Sequence, residues 1–259
     1  MTTDHKVTKG NALSSEIDFY NSSWSDEGWN DMVKYSPVCR HTNRWVMKLI
    51  NMLPEKPQTI ADIGCGNGKL LDYIRRQIKG VKYFGTDLSD SGLAQCQRKF
   101  PDGTFAFQDL SQISNPLPEA VDLGICSEVI EHLENDSSAL ESLSLMCRYL
   151  IITVPSGIVD EMAKSMGHYR HYTASELGQK LNEAGFTVLY QKTWGGPFSY
   201  PLYSLLRNKA GVSYVSGRYS LYKKFLTHIL YLIFYLNDFF NFGDKVFILA
   251  KNKKIHHNS

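Results

Sequence analysis

Residues 59–68 read "TIADIGCGNG" and run directly into "KLLDYIRRQIK" at 69–79. The opening apolar run is short enough for a buried strand, and the second stretch carries its apolar residues at helical spacing. Between them Gly64, Gly66 and Gly68 alternate, which marks a tight turn. A strand, a glycine turn and a helix start together present backbone N–H groups at a helix N-terminus to a ligand. Asp62 stands two residues before the first of these glycines.

Outward from this point the same alternation continues. Strands are predicted at 81–87 (VKYFGTD), 104–109 (TFAFQD), 121–126 (VDLGIC) and 149–155 (YLIITVP), with helices around 68–79, 90–99 and 137–147. A helix at 173–185 closes on Gly185, and 186–194 and 245–251 read as two further strands. Strands alternating with helices imply an α/β fold with a parallel, doubly wound sheet covered on both faces. In such sheets ligands bind beyond the carboxyl ends of the strands.

The chain has 259 residues, of which 43% are hydrophobic, as expected for one large domain with appendages. Residues 1–28 are polar and read as a mobile segment. The domain is then 29–259, with an N-terminal helix over 29–53 and an insert at 196–242 ahead of the last strand. A net charge of +2 leaves no reason to invoke DNA, and the lack of a basic tract weighs against RNA. Five cysteines without a CxxC spacing fit free thiols in a reducing compartment. The first residues lack an apolar core of signal-peptide length, so the expected location is cytoplasmic.

Three glycines in the pattern G-x-G-x-G behind an acid do not suit a pyrophosphate, because Asp62 would repel it. A carboxylate with backbone donors suits an ammonium group, which favours S-adenosylmethionine over NAD. Asp87 lies 19 residues after Gly68, where an acid can accept two ribose hydroxyls. Asp109, near the end of the third strand, can accept from an adenine amino group while Leu110 packs on the ring.

In order and spacing, "ADIGCGNG", "GTDLS" and "FQDL" resemble the cofactor motifs of class I S-adenosylmethionine-dependent methyltransferases over roughly 35–195. The resemblance implies a Rossmann-like seven-stranded sheet whose last strand inserts antiparallel, with a helical lid ahead of it. It implies cofactor contacts from Asp62, Gly64, Cys65, Gly66, Gly68, Asp87, Leu88, Asp109, Leu110 and Ser127.

A second constellation follows the fourth strand in "CSEVIEHLEN". If this stretch is helical, Glu128, Glu131 and His132 share a face. Such a set can ligate a divalent cation or place a base over a hydroxyl. "GHYRHYTASEL" later adds His168, Arg170 and His171, flanked by Tyr169 and Tyr172. E-x-x-E-H with a distant His is similar to the small-RNA 2′-O-methyltransferases and the ubiquinone-pathway O-methyltransferases. That resemblance implies magnesium or manganese on Glu128, Glu131, His132 and His168, whereas "GHYRHYT" is closer to methyltransferases of glycan and lipid synthesis. Metal ligation, metal-free base catalysis by His132 or His168 with Glu128 at the transfer site, and a structural role all remain open.

The expected reaction is O-methylation of a hydroxyl on a small molecule, glycan or glycolipid. The rivals are an RNA 2′-O-methyltransferase, a catalytically silent partner subunit of the same fold, and an NAD-dependent oxidoreductase, which the glycine spacing disfavours. Tyr35, Arg40 and His41 are candidates to meet cofactor or substrate, although an ordinary packing helix is favoured there. The insert at 225–240 (FLTHILYLIFYLNDFF) is apolar almost all round. It is too short for the ~20 residues that span a bilayer. It is expected in the core or a homodimer interface ahead of peripheral membrane contact through 219–240, which would make the protein membrane-associated.

Overall fold

A computed structural model describes residues 17–24, 26–202 and 218–255. Seven strands form one sheet: β1 (Thr59–Ile63), β2 (Lys82–Asp87), β3 (Thr104–Phe107), β4 (Val121–Ser127), β5 (Cys147–Pro155), β6 (Phe186–Trp194) and β7 (Lys245–Asn252). Their spatial order is β3-β2-β1-β4-β5-β7-β6. The first five run parallel, and β7 lies antiparallel between β5 and β6.

The inner strands are apolar runs because the sheet is buried on both faces there, while the edge strands β3 and β6 keep exposed positions. Along β5, Leu150, Ile152 and Val154 point into one core and Tyr149 and Ile151 into the other. Along β7, Val246 and Ile248 alternate with Phe247 and Leu249 in the same way. On the first face lie α5 (Asp136–Met146), through Leu140 and Leu143, and α7 (Ala174–Glu183), through Leu177 and Leu181. The second face is covered by α2 (Pro37–Ile50), through Trp45, Val46 and Leu49, and by α3 (Lys69–Gln77), through Leu71 and Ile74. Each such fully buried side chain stabilises the fold by roughly 1.5–3 kcal/mol.

At the N-terminus the structure departs from the sequence reading. Residues 17–23 are helical, within the stretch read as mobile. The helix expected over 29–53 is two helices, α1 (Glu27–Tyr35) and α2. Pro37 occupies the first turn of α2 and Ser36 ahead of it is extended at ψ 127°. Proline disfavours helical backbone in the preceding residue and tolerates the first helical position, so the break falls there. The remaining helices are α4 (Asp90–Lys99), α6 (Glu161–Ser165) and α8 (Leu221–Phe234). The Ser89 side chain caps α4 at Gly92 N and the Thr173 side chain caps α7 at Glu176 N, which satisfies helix donors that would otherwise be unpaired.

Part of the expected insert, 203–217, lies outside the described residues. The described remainder includes helical residues 199–202, α8 and a 3₁₀ turn at Tyr235–Phe239. Asp238 ties it down by accepting 2.7 Å bonds from both terminal nitrogens of Arg44, with Lys48 Nζ at 2.5 Å. Trp194 Nε1 reaches the same carboxylate at 3.1 Å. Burial alone would raise the Asp238 pKa, and the two cations outweigh it, holding the carboxyl well below the usual range. All five cysteines are free.

Candidate functional site

The acids expected as cofactor contacts stand along the carboxyl edge of neighbouring strands, because β3, β2, β1 and β4 are adjacent. Asp62 sits near the end of β1 and is 2% exposed. Burial first, and the nearby Asp87 second, push its carboxyl well above the usual range. A carboxyl in that state regains its charge beside a cation, which suits a ligand bearing an ammonium group.

Past Ile63 the chain enters the left-handed region at Gly64 (φ 81°), Gly66 (φ 51°) and Gly68 (φ 74°). A Cβ on Gly64 would lie 2.3 Å from Val129, and one on Gly66 would lie 2.3 Å from Trp24. Both conformation and space therefore demand glycine. Gly64 N and Cys65 N donate to Thr86 O at 2.7 and 2.9 Å. Gly66 N donates to Asp87 Oδ2 at 2.7 Å, and Ser89 N to Asp87 Oδ1 at 2.8 Å. Asp87 thus locks the glycine turn while each oxygen keeps a further acceptor direction. Its pKa is raised by burial, against those backbone bonds. Cys65 is buried with its sulfur 3.8 Å from that of Cys96.

Leu88 is half-buried beside Asp87. Asp109, half-buried, accepts from Ser111 N at 2.8 Å. Leu110 is 6% exposed and belongs to the core, so little of its side chain is open to a ring. At the end of β4, Ser127 Oγ and Thr153 Oγ1 are 2.8 Å apart, and Thr153 donates to Glu128 Oε1 at 2.9 Å.

Glu128 corrects the helical reading of "SEVIEHL". Its φ is +59°, and the helical turn is a 3₁₀ segment at Ile130–His132. Glu128 stands outside the set in which Glu131, His132 and His168 converge, although its charge acts on all three. It pairs instead with Lys245 Nζ. Burial would raise the Glu128 pKa, but the Lys245 charge and hydrogen bond, with Thr153, hold it below the ordinary value. Lys245 is raised in turn, its burial outweighed by Glu128.

The groups that do converge are Glu131, His132 and His168, whose ligand atoms lie within 4.8 Å of one another. Glu131 is 0% exposed, and among the described residues no other residue hydrogen-bonds to either of its carboxylate oxygens. Burial, then the Glu128 charge, push its pKa well above normal. The His132 and His168 rings are 4.6 Å apart and nearly perpendicular. His168 Nδ1 and His171 Nε2 lie 3.0 Å apart. Burial, then His132 and His171, bring the His168 pKa down to about 4, and burial also lowers that of His132. The histidine loop is held by Tyr169 N donating to Glu131 O at 2.8 Å and Tyr172 N to Pro155 O at 3.0 Å. Arg170 spans to Glu134 O and Asp136.

Several contributors had no local sequence signal. Trp24 packs against Gly66 and Gly92. Asn21 Oδ1 accepts from Ser89 Oγ at 2.7 Å and Ser91 N at 3.1 Å, so the 17–24 segment closes over the glycine turn. Tyr20 meets the His132 ring edge-on at 6.3 Å. Lys245 announced itself only as the first residue of a strand, yet β7 pairs it with Pro155 at the carboxyl end of β5. Conversely, the Tyr35 ring stacks on Tyr219, Arg40 lies 3.6 Å over the Tyr231 ring, and His41 Nε2 bonds Tyr231 O at 2.8 Å. All three pack against the insert.

A doubly wound sheet with an antiparallel β7, a glycine turn and acids at successive strand ends defines a nucleotide-binding fold of the Rossmann-like class. Residues 61–148 match the family described as "Methyltransferase domain". The chain is 22% identical over 166 residues to a ubiquinone biosynthesis O-methyltransferase of Pseudomonas fluorescens, covering 56% of this chain and 69% of that one. It is 27% identical over 138 residues to a trans-aconitate 2-methyltransferase of Yersinia pseudotuberculosis, spanning half that relative's length (51% of this chain, 50% of that one). Its fold is similar to that of the N-methyltransferase NodS from Bradyrhizobium japonicum in complex with S-adenosyl-L-homocysteine. The TM-score is 0.59 at 12% identity, covering 92% of this chain and 98% of that one. The match over 61–148 and these similarities support a class I S-adenosylmethionine-dependent methyltransferase.

Proposed function

We propose that the protein methylates a hydroxyl on a small molecule, glycan or glycolipid. The observation that carries this reading is the Glu131–His132–His168 cluster beyond the end of β4. A hydroxyl must shed its proton as it attacks, whereas a neutral amine attacks through a lone pair it already has. Groups that take up a proton or bind a cation beside the transfer path therefore suit an oxygen acceptor. The similarity to a ubiquinone biosynthesis O-methyltransferase supports the same choice, while the likeness to NodS bears on the fold alone.

In this reading Asp62 faces the ammonium of the cofactor, and Gly64, Cys65, Gly66 and Gly68 line its amino-acid end. Asp87 accepts from the ribose, Asp109 with Leu88 and Leu110 meets the base, and Ser127 borders the methyl-transfer position. When bound, S-adenosylmethionine supplies an electrophilic methyl on a sulfonium. The residues themselves orient the acceptor and handle its proton. His132 and His168, both with lowered pKa values, are uncharged at neutral pH, so a ring nitrogen of either can accept the hydroxyl proton. Glu128, fixed by Lys245, borders the acceptor and sets its orientation.

The unpartnered Glu131 carboxyl and two neutral imidazoles also fit a divalent cation. One carboxylate with two imidazoles favours a first-row transition ion such as manganese over magnesium. The test is transfer from radiolabelled S-adenosylmethionine to a panel of phenols, glycans and glycolipids with matched amines. Label is expected on hydroxyl compounds and should fall at least about a hundredfold in His168→Ala, the low end for a positioned base. Label on amines alone would overturn the reading.

A further inference from the structure

On α8 the apolar residues face outward. At about 100° per residue, Leu221, Tyr222, Phe225, Ile229 and Leu232 fall within about 60° of one line along the helix. They are 87%, 75%, 65%, 38% and 56% exposed, and Phe239 beyond them is 83% exposed. The opposite side buries Thr227 and Phe234. This overturns the expectation that the segment lies in the core. Among the described residues, the polar contacts that hold this segment lie on its inner side: Asp238 on Arg44 and Lys48, and Tyr231 against His41 and Arg40. An ordinary surface helix turns its polar residues outward, and a continuous apolar stripe marks a contact surface.

Charge decides between the occupants. Lys224 flanks the stripe at the start of α8, and the ammonium groups of Lys34 and Lys224 gather over the Tyr35 ring at 5.1 and 4.6 Å. Lys223 turns to the other side, over the Tyr219 ring at 3.9 Å and near Asp31. Residues 221–242 contain one acid, Asp238, which is engaged on the inner side. A second copy would therefore bring cations and apolar groups to this face but no acid from the same segment. An anionic headgroup layer offers phosphates to the lysines and acyl chains to the stripe. No helix among the described residues is long and apolar enough to cross a membrane, so α8 would lie in the interface plane.

We propose that the outer face of α8 and the turn after it docks the protein on an anionic lipid bilayer. The apolar stripe enters the headgroup boundary and the basic cluster at its N-terminal end contacts lipid phosphates. The vesicle assay needs no methyl acceptor, so its outcome is independent of the reaction proposed above.

The full chain is sedimented with vesicles of phosphatidylcholine alone and of phosphatidylcholine mixed equally with phosphatidylglycerol. Partitioning into the mixed vesicles should exceed that into neutral ones at least about tenfold and weaken with salt. Phe225→Glu and Leu232→Glu should each reduce it about tenfold or more, since each removes an exposed apolar anchor. Lys34→Glu with Lys224→Glu should erase the preference for anionic vesicles. A retained thermal shift with S-adenosylhomocysteine shows that each variant is folded. A wild-type chain that stays in the supernatant with both vesicles overturns the proposal, as does binding that survives all of these variants. So does a concentration-dependent dimer that Leu232→Glu dissolves, which would assign the face to self-association.

Discussion

Lys245, the first residue of β7, donates a hydrogen bond to Glu128, the residue that follows β4, across the end of the intervening strand β5. The antiparallel insertion of β7 makes this contact, because it brings the beginning of the last strand to the edge where the parallel strands end. A lysine from the far end of the chain thereby fixes a left-handed glutamate at the centre of the site.

Lys245→Met should therefore destabilise the protein at pH 7 by about 1–3 kcal/mol, since it leaves a carboxylate without its partner. The lower part of that range applies because the Glu128 side chain keeps 34% of its surface open. The folded-state pKa of Glu128 lies below its unfolded value. Its stabilising contribution is thus present above the unfolded pKa and lost as pH falls through the folded one. Thermal melts of wild type and variant should converge on acidification, and Glu128→Gln in the variant background should restore part of the loss. Equal melting temperatures at pH 7 would show the pair to be energetically idle.

Asp87 carries two duties, as it holds Gly66 N and Ser89 N and is proposed to accept from the ribose. Asp87→Ala should weaken S-adenosylhomocysteine binding by about 1–3 kcal/mol through lost charged hydrogen bonds. Asp87→Asn can still accept through its amide oxygen and should lose less. Calorimetric titration of both variants checks this order, and unchanged affinity in Asp87→Ala removes the ribose assignment.

His41 gives a pH dependence away from the site. It is 0% exposed, accepts from Arg44 Nε at Nδ1 over 3.0 Å, and directs Nε2 at Tyr231 O. Those bonds require the neutral ring. Burial above all, with Arg44 and Arg40 adding repulsion against the help of Tyr231 O and Asp238, lowers its pKa to about 4. The unfolded chain holds the proton from about pH 6.5 downward. Between these values the unfolded state binds more protons, so stability falls as pH falls. Going from pH 7 to pH 5 should cost about 1–2 kcal/mol through this residue. His41→Gln should flatten the profile in that window; an identical slope in the variant would remove His41 as the cause.

How far the sequence disclosed this arrangement depends on the range of the forces involved. Strands β1, β5 and β7 were legible because apolar runs bounded by glycine, proline or polar turns report burial on two faces. Asp62, Asp87 and Asp109 were legible because strand-end position follows from those runs. Glu128 was misread because a helical spacing says nothing about one left-handed residue at its start. Asn21, Trp24 and Lys245 act through contacts with residues far along the chain, which no local pattern encodes. The apolar character of α8 was plain, but the side it faces was set by Asp238 meeting Arg44, a pairing across 194 residues.

The cluster of Glu131, His132 and His168 yields the last prediction. Without a cation, burial and then the Glu128 charge push the Glu131 carboxyl towards its protonated form. Binding of manganese should therefore release protons, read as a buffer-dependent heat in calorimetry. At a free concentration a hundred times the dissociation constant, the ion should add about 2.7 kcal/mol of stability. For a chain of this size that corresponds to a rise of roughly 5–10 °C in melting temperature. Glu131→Gln and His168→Ala should abolish the rise. Glu128→Gln should keep most of the rise, because the Glu128 side chain is committed to Lys245 and lies outside the converging set, although its charge acts on all three members. A shift lost in Glu128→Gln but kept in His168→Ala would instead put the ion on Glu128.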